Sequence, residues 1–94
     1  RVAPREHAKA DGRFYLRINA GDHPGVLAQV ANVLGEHKIS ISSVLQQETA
    51  SADGTVPLVI MTHLTTEGAT RKACSEINKL SCVRGKTIRM WVRD

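Results

Sequence analysis

Asp22-His23-Pro24-Gly25-Val26-Leu27 is the stretch of this 94-residue chain whose residue types best suit ligand chemistry. It lies between a run that alternates like a strand and a run with helical spacing. A polar, glycine-containing lead into a helix presents backbone N–H groups that lack intrahelical acceptors. It also aims the positive end of the helix dipole at whatever sits in front. A small carboxylate can be held there largely by main chain. Pro24 costs little so close to a helix start, since N–H groups there have no intrahelical acceptor anyway. Asp22 has two readings, a cap acceptor for the helix and a contact for a ligand's ammonium. Gly25 reads as a turn requirement or as a point of close approach. His23 reads as an exposed loop residue or as a neighbour of the ligand.

Other chemistry finds little support. There is no G-x-G-x-x-G, no phosphate-binding P-loop and no G-x-S-x-G. His7, His23, His37 and His63 are scattered. Cys74 and Cys82 are the only cysteines. They form no C-x-x-C pair and no paired histidines accompany them, so no metal site is expected. Without a secretory leader they read as reduced, small apolar side chains. No apolar run approaches the roughly 18 residues that a membrane span needs. The formal charge is +4, and Arg1, Arg5, Lys9, Arg13 and Arg17 crowd the start of the chain. Glu6 and Asp11 interrupt that run, which reads as a solvated tail before a nucleic-acid patch.

These residues must be positioned by a small set of elements. Residues 1–12 read as a linker, with Asp11-Gly12 as a turn. Residues 13–20 alternate, with Phe14, Leu16, Ile18 and Ala20 on one face and Arg13, Tyr15, Arg17 and Asn19 on the other. Val26, Leu27, Val30, Ala31, Val33 and Leu34 recur at helical spacing, and that helix should end near residue 36 or 37. A second strand should run from Ile39, with Ile39, Ile41, Ser43 and Leu45 opposite Ser40, Ser42, Val44 and Gln46. Ser51-Ala52-Asp53-Gly54 reads as a hairpin turn. Residues 56–63 are the most apolar strand and so central, with Pro57 near its start. Thr65 or Thr66 caps a second helix, with Glu67 in its first turn, and Ala69, Ala73, Ile77 and Leu80 give its buried stripe. In the closing strand Ile88, Met90 and Val92 alternate with Arg89, Trp91 and Arg93.

The order is β-α-β-β-α-β. This is an α+β, ferredoxin-like sandwich: a four-stranded antiparallel sheet, ordered strand four, one, three, two, with both helices on one face. The second strand is an edge. The other sheet face is expected to carry Tyr15, Val44, Val59, Met61 and Trp91, enough apolar surface to suggest an interface. RNA-binding domains of this topology stack bases on aromatics of the two central strands. Here the third strand has none, and aromatics make up 3% of the chain. An interaction module is the better reading, with RNA binding the weaker alternative.

The strand followed by D-x-P-G-V-L, a helix and I-S-I-S-S-V resembles the ACT domain, a regulatory module that binds small molecules. The resemblance covers residues 13–93. The combination of FYLRINAGDHPGVLAQVANVLGEHKISISSVLQQE, VPLVIMTH and a terminal VRGKTIRMWV is more specific. It is similar to the C-terminal ACT domain of bacterial homoserine dehydrogenases. The resemblance implies that residues 13–94 are the regulatory domain and that residues 1–12 link it to a missing catalytic region. It implies no catalytic residue and no cofactor in this chain, NAD(P) in that missing region, and a cytoplasmic location. It implies an amino-acid effector, threonine first, bound by a homodimer that pairs through the second strand and the first helix. Carried over, the site takes Asp22, Pro24, Gly25, Val26 and Leu27 from one subunit and Ser40 and Ile41 from the other. A purely structural dimerisation module is the alternative. The chain departs from the family at Lys38, where glycine usually closes the helix, and at Ala20, where some relatives carry a polar contact residue.

Overall fold

The computed structural model describes residues 11–21, 24–46, 52 and 54–92. Five strands and two helices follow in the order β1 (Asp11–Gly21), α1 (Val26–Glu36), β2 (Ile41–Gln46), β3 (Thr55–Thr62), β4 (Thr65–Thr66), α2 (Glu67–Ile77) and β5 (Val83–Val92). The strands run antiparallel. β1 lies between β3 and β5, and β2 flanks β3 on its far side. The expected spatial order is therefore present. The addition is β4, a two-residue strand that pairs with Asp11 and Gly12, so those two residues begin β1 and do not form the expected turn. Its sequence, Thr65-Thr66, had suggested only a helix cap.

Alternation in β1 makes the core. Phe14, Leu16, Ile18 and Ala20 are buried, as are Leu58 and Ile60 of β3. Val26, Val30, Val33 and Leu34 of α1 and Ala73, Cys74 and Ile77 of α2 close over that face. Complete burial of the Phe, Leu, Ile and Val side chains among them contributes about 1.5–3 kcal/mol each. Two buried threonines are satisfied locally. The Phe14 N–H donates to Thr62 Oγ1 at 3.0 Å, and Thr70 Oγ1 lies within donating distance of the carbonyls of Thr66 and Glu67. The far ends of the helices meet where His37 Nε2 and Glu76 Oε2 approach to 2.6 Å.

α1 ends in a Schellman turn. Ile39 N–H reaches the Leu34 carbonyl and Lys38 N–H the Gly35 carbonyl, both at 2.9 Å. Ile39 thus belongs to the helix stop, which is why β2 begins at Ile41 and not at Ile39. α2 starts on Thr66, whose hydroxyl accepts from Ala69 N–H at 3.1 Å. It ends at Ile77, short of the expected Leu80, which lies in a following turn. The Ser51–Gly54 turn falls largely outside the described residues.

The open face of the sheet needs correction. Phe14 pairs with Trp91 and Ile60 with Val44, so Trp91 and Val44 lie on the helix side. Trp91 stacks on Phe14 with ring centroids 6.4 Å apart. It also covers Gly12, where a Cβ would collide with the indole. The residues that share the open face with Tyr15, Val59 and Met61 are Leu45, Ile88 and Met90. A register shift between Ile41 and Ser43 resets the alternation of β2.

Candidate functional site

The first helix opens on Gly25, which holds φ at +89° and supplies no capping side chain. The first intrahelical bond runs from Gln29 N–H to the Gly25 carbonyl at 3.1 Å. Helix geometry therefore leaves the N–H groups of Val26, Leu27 and Ala28 without intrahelical acceptors. A Cβ built on Gly25 meets nothing within 4 Å, so glycine is required here by backbone conformation and not by crowding. Pro24 and Gly25 are exposed, and Leu27 is 39% exposed. Val26 is different: its side chain is buried in the core, so only its main chain is open to a ligand. Asp22 and His23 lie outside the described residues.

The platform beneath this helix start is braced by Cys82, which reads in the sequence as a small apolar side chain. The Cys82 carbonyl accepts from Gly21 N–H at 2.7 Å, at the end of β1. The Cys82 Sγ lies 3.6 Å from Gln29 Oε1, in the first turns of α1. No local sequence signal marks this role, because 53 residues separate the two side chains.

Ser40 and Ile41 are not beside this platform. The Ser40 carbonyl accepts from His63 N–H at 2.9 Å, and Ile41 pairs with Thr62. Thr62 in turn holds the Phe14 amide, near the start of β1. Gly21, which leads to α1, lies at the other end of that strand. Phe14 and Gly21 are seven residues apart in β1, or roughly 23 Å at the rise of an extended strand. One chain therefore keeps the two halves of the expected site at opposite ends of its sheet.

Burial raises the Cys74 thiol above its ordinary range, with the nearby Arg89 guanidinium opposing that rise. A thiol held neutral in this way is a poor nucleophile. Among the described residues, no group of three or more His, Cys, Asp and Glu side chains is placed to hold a metal ion. No helix there is long and apolar enough to cross a membrane.

A first helix that opens on glycine, set on a βαββαβ sheet, is an arrangement shared by small modules of many functions. The family model for the ACT domain matches residues 14–82, and the chain belongs to that family. Within it, the chain is similar to homoserine dehydrogenase of Pseudomonas aeruginosa, with 43% identity over 84 residues, covering 89% of this chain and 19% of that protein. The homoserine dehydrogenase of Methylobacillus glycogenes is 38% identical over 81 residues, covering 86% of this chain and 20% of that protein. A crystal structure of a homoserine dehydrogenase from Thiobacillus denitrificans superposes with a TM-score of 0.82 at 32% identity, over 94% of this chain and 19% of that one. The chain thus spans about one fifth of the length of these relatives. The ACT domain of GTP pyrophosphokinase from Chlorobium tepidum shares the fold, with a TM-score of 0.63 at 17% identity over 86% of this chain and all of that one.

Proposed function

We propose that this chain is an amino-acid-binding regulatory domain of a homoserine dehydrogenase, with threonine as the first candidate effector. The observation that carries the reading is the start of α1, which opens on Gly25 with no capping side chain and with Pro24, Gly25 and Leu27 exposed. There the N–H groups of Gly25, Val26 and Leu27 suit an effector carboxylate, and Asp22 is assigned to the ammonium. A helix N-terminus contributes about 0.3–2 kcal/mol toward an anion, too little for a tight site. The remainder is assigned to Ser40 and Ile41 of a second copy, which the distance along β1 prevents the same copy from supplying. Homodimerisation through β2, the sheet edge among the described residues, and through α1 brings those residues in. Binding then favours one dimer geometry, with a coupling of roughly 1–3 kcal/mol to a distant active site. NAD(P) chemistry is assigned to a region outside this chain, and the whole protein to the cytoplasm.

Isothermal titration of the chain with threonine, methionine and lysine tests this reading. Saturable heat with threonine is expected, lost in Asp22→Ala without an equal loss of folding stability. No heat with any amino acid, from a chain that still dimerises, would leave a structural dimerisation module in its place.

A further inference from the structure

We propose that the groove between α2 and β5 binds a phosphoryl-bearing small molecule, at a site separate from the start of α1. The groove has a volume of about 590 Å³, within the roughly 300–1,000 Å³ of small-molecule sites. Its polar lining is rich in donors. Arg71 and Ser75 come from α2, Asn78 from just after it, and Lys86, Thr87 and Arg89 from β5. The Arg71 and Arg89 guanidiniums share one carboxylate oxygen, Glu67 Oε2, at 3.4 and 4.0 Å. Lys86 makes no ion pair among the described residues. Three cations thus line the groove, and among the described residues Glu67 is the one carboxylate paired with any of them. Thr87 N–H donates to Asn78 Oδ1 at 2.7 Å, which occupies the amide oxygen and leaves the NH2 end to donate.

A lining that carries three cations selects a ligand with negative charge and acceptor oxygens. A phosphoryl group meets that demand, and the planar fork of arginine matches its oxygens. A zwitterionic amino acid does not, because its ammonium would compete for a carboxylate that two guanidiniums already share. Single-stranded nucleic acid is disfavoured too, since base stacking needs aromatic platforms and the groove has none.

The test is a chemical-shift titration of the whole chain at constant ionic strength, with inorganic phosphate, O-phosphoserine and ATP as separate probes. Saturable shifts confined to the amides around Ser75, Asn78 and Thr87 are expected. Affinity should fall about tenfold in Lys86→Gln and in Arg89→Gln, the loss of one charge-assisted contact, and should not change in Lys79→Gln. A response to all three probes assigns the phosphoryl group itself as the determinant. A response to ATP alone assigns a nucleotide as its source. Arg89→Gln risks disturbing the contact with Glu67, so Lys86, exposed and without an ion pair among the described residues, decides if that variant misfolds. Equal shifts with sodium sulfate (an adventitious ion only), unchanged affinity in Lys86→Gln, or affinity that grows with the length of an RNA oligonucleotide would each overturn the proposal.

Discussion

Lys38 holds φ at 60° at the close of α1, the one non-glycine among the described residues with positive φ. The left-handed region costs an ordinary residue about 1–2 kcal/mol, and the Schellman turn fixes Lys38 there through its own N–H and that of Ile39. Lys38→Gly removes that strain but frees the unfolded chain, which returns about 0.4–1 kcal/mol. The net expectation is a gain of about 0.5–1 kcal/mol, read as a higher urea midpoint at unchanged slope. A lower midpoint would show that the lysine stem contributes more packing than its backbone costs. Cys74 gives a pH dependence of definite sign. Its thiol is raised above the ordinary 9.0 by burial, so above that pH the unfolded chain loses a proton that the folded chain keeps. Stability from this group is complete below pH 9.0 and declines as pH rises beyond it. Urea unfolding at pH 8 and pH 10 should show a smaller drop for Cys74→Ala than for the parent chain, and equal drops would remove Cys74 as the cause.

At the scale of elements, α2 depends on its first turn. Thr66 supplies the cap to Ala69 N–H and also pairs, within β4, with Asp11. Thr66→Ala should cost about 1 kcal/mol, visible as a lower melting temperature, while Thr66→Ser should recover most of it. The helices were legible in the sequence because apolar side chains at three- and four-residue spacing leave one face to bury. Val26, Val30, Val33 and Leu34 were readable on that ground alone. The faces of β2 and β5 were not. Alternation within a strand says which residues share a face, but not which face meets the helices. That depends on cross-strand partners: Phe14 takes Trp91, and a bulge between Ile41 and Ser43 sends Val44 to the helix side. The same limit divides the candidate sites. The loop through Gly25 is contiguous, and its glycine advertises a positive φ. The basic groove joins Arg71 to Lys86 and Arg89 across a turn, and its shape follows from register, which no local motif encodes.

At the scale of the whole molecule, the apolar face and the β2 edge bear on assembly. Leu45 is 64% exposed, and Ile88 and Met90 are more than half exposed. Leu45 stands on β2, the outer strand of that face among the described residues. If effector binding draws on two copies, affinity and association are one linked equilibrium, and each must shift the other by the same factor. Leu45→Lys should move the sedimentation profile toward monomer and weaken threonine together. Gly25→Ala acts differently: its strain sits at the helix start, where a Cβ meets no neighbour, so it should weaken threonine while leaving association of the unliganded chain unchanged. The parent chain should sediment as a tighter dimer in saturating threonine. Threonine binding that ignores chain concentration and survives Leu45→Lys would place the whole site within one copy. The separation of Gly25 from Ser40 and Ile41 along β1 argues against that outcome.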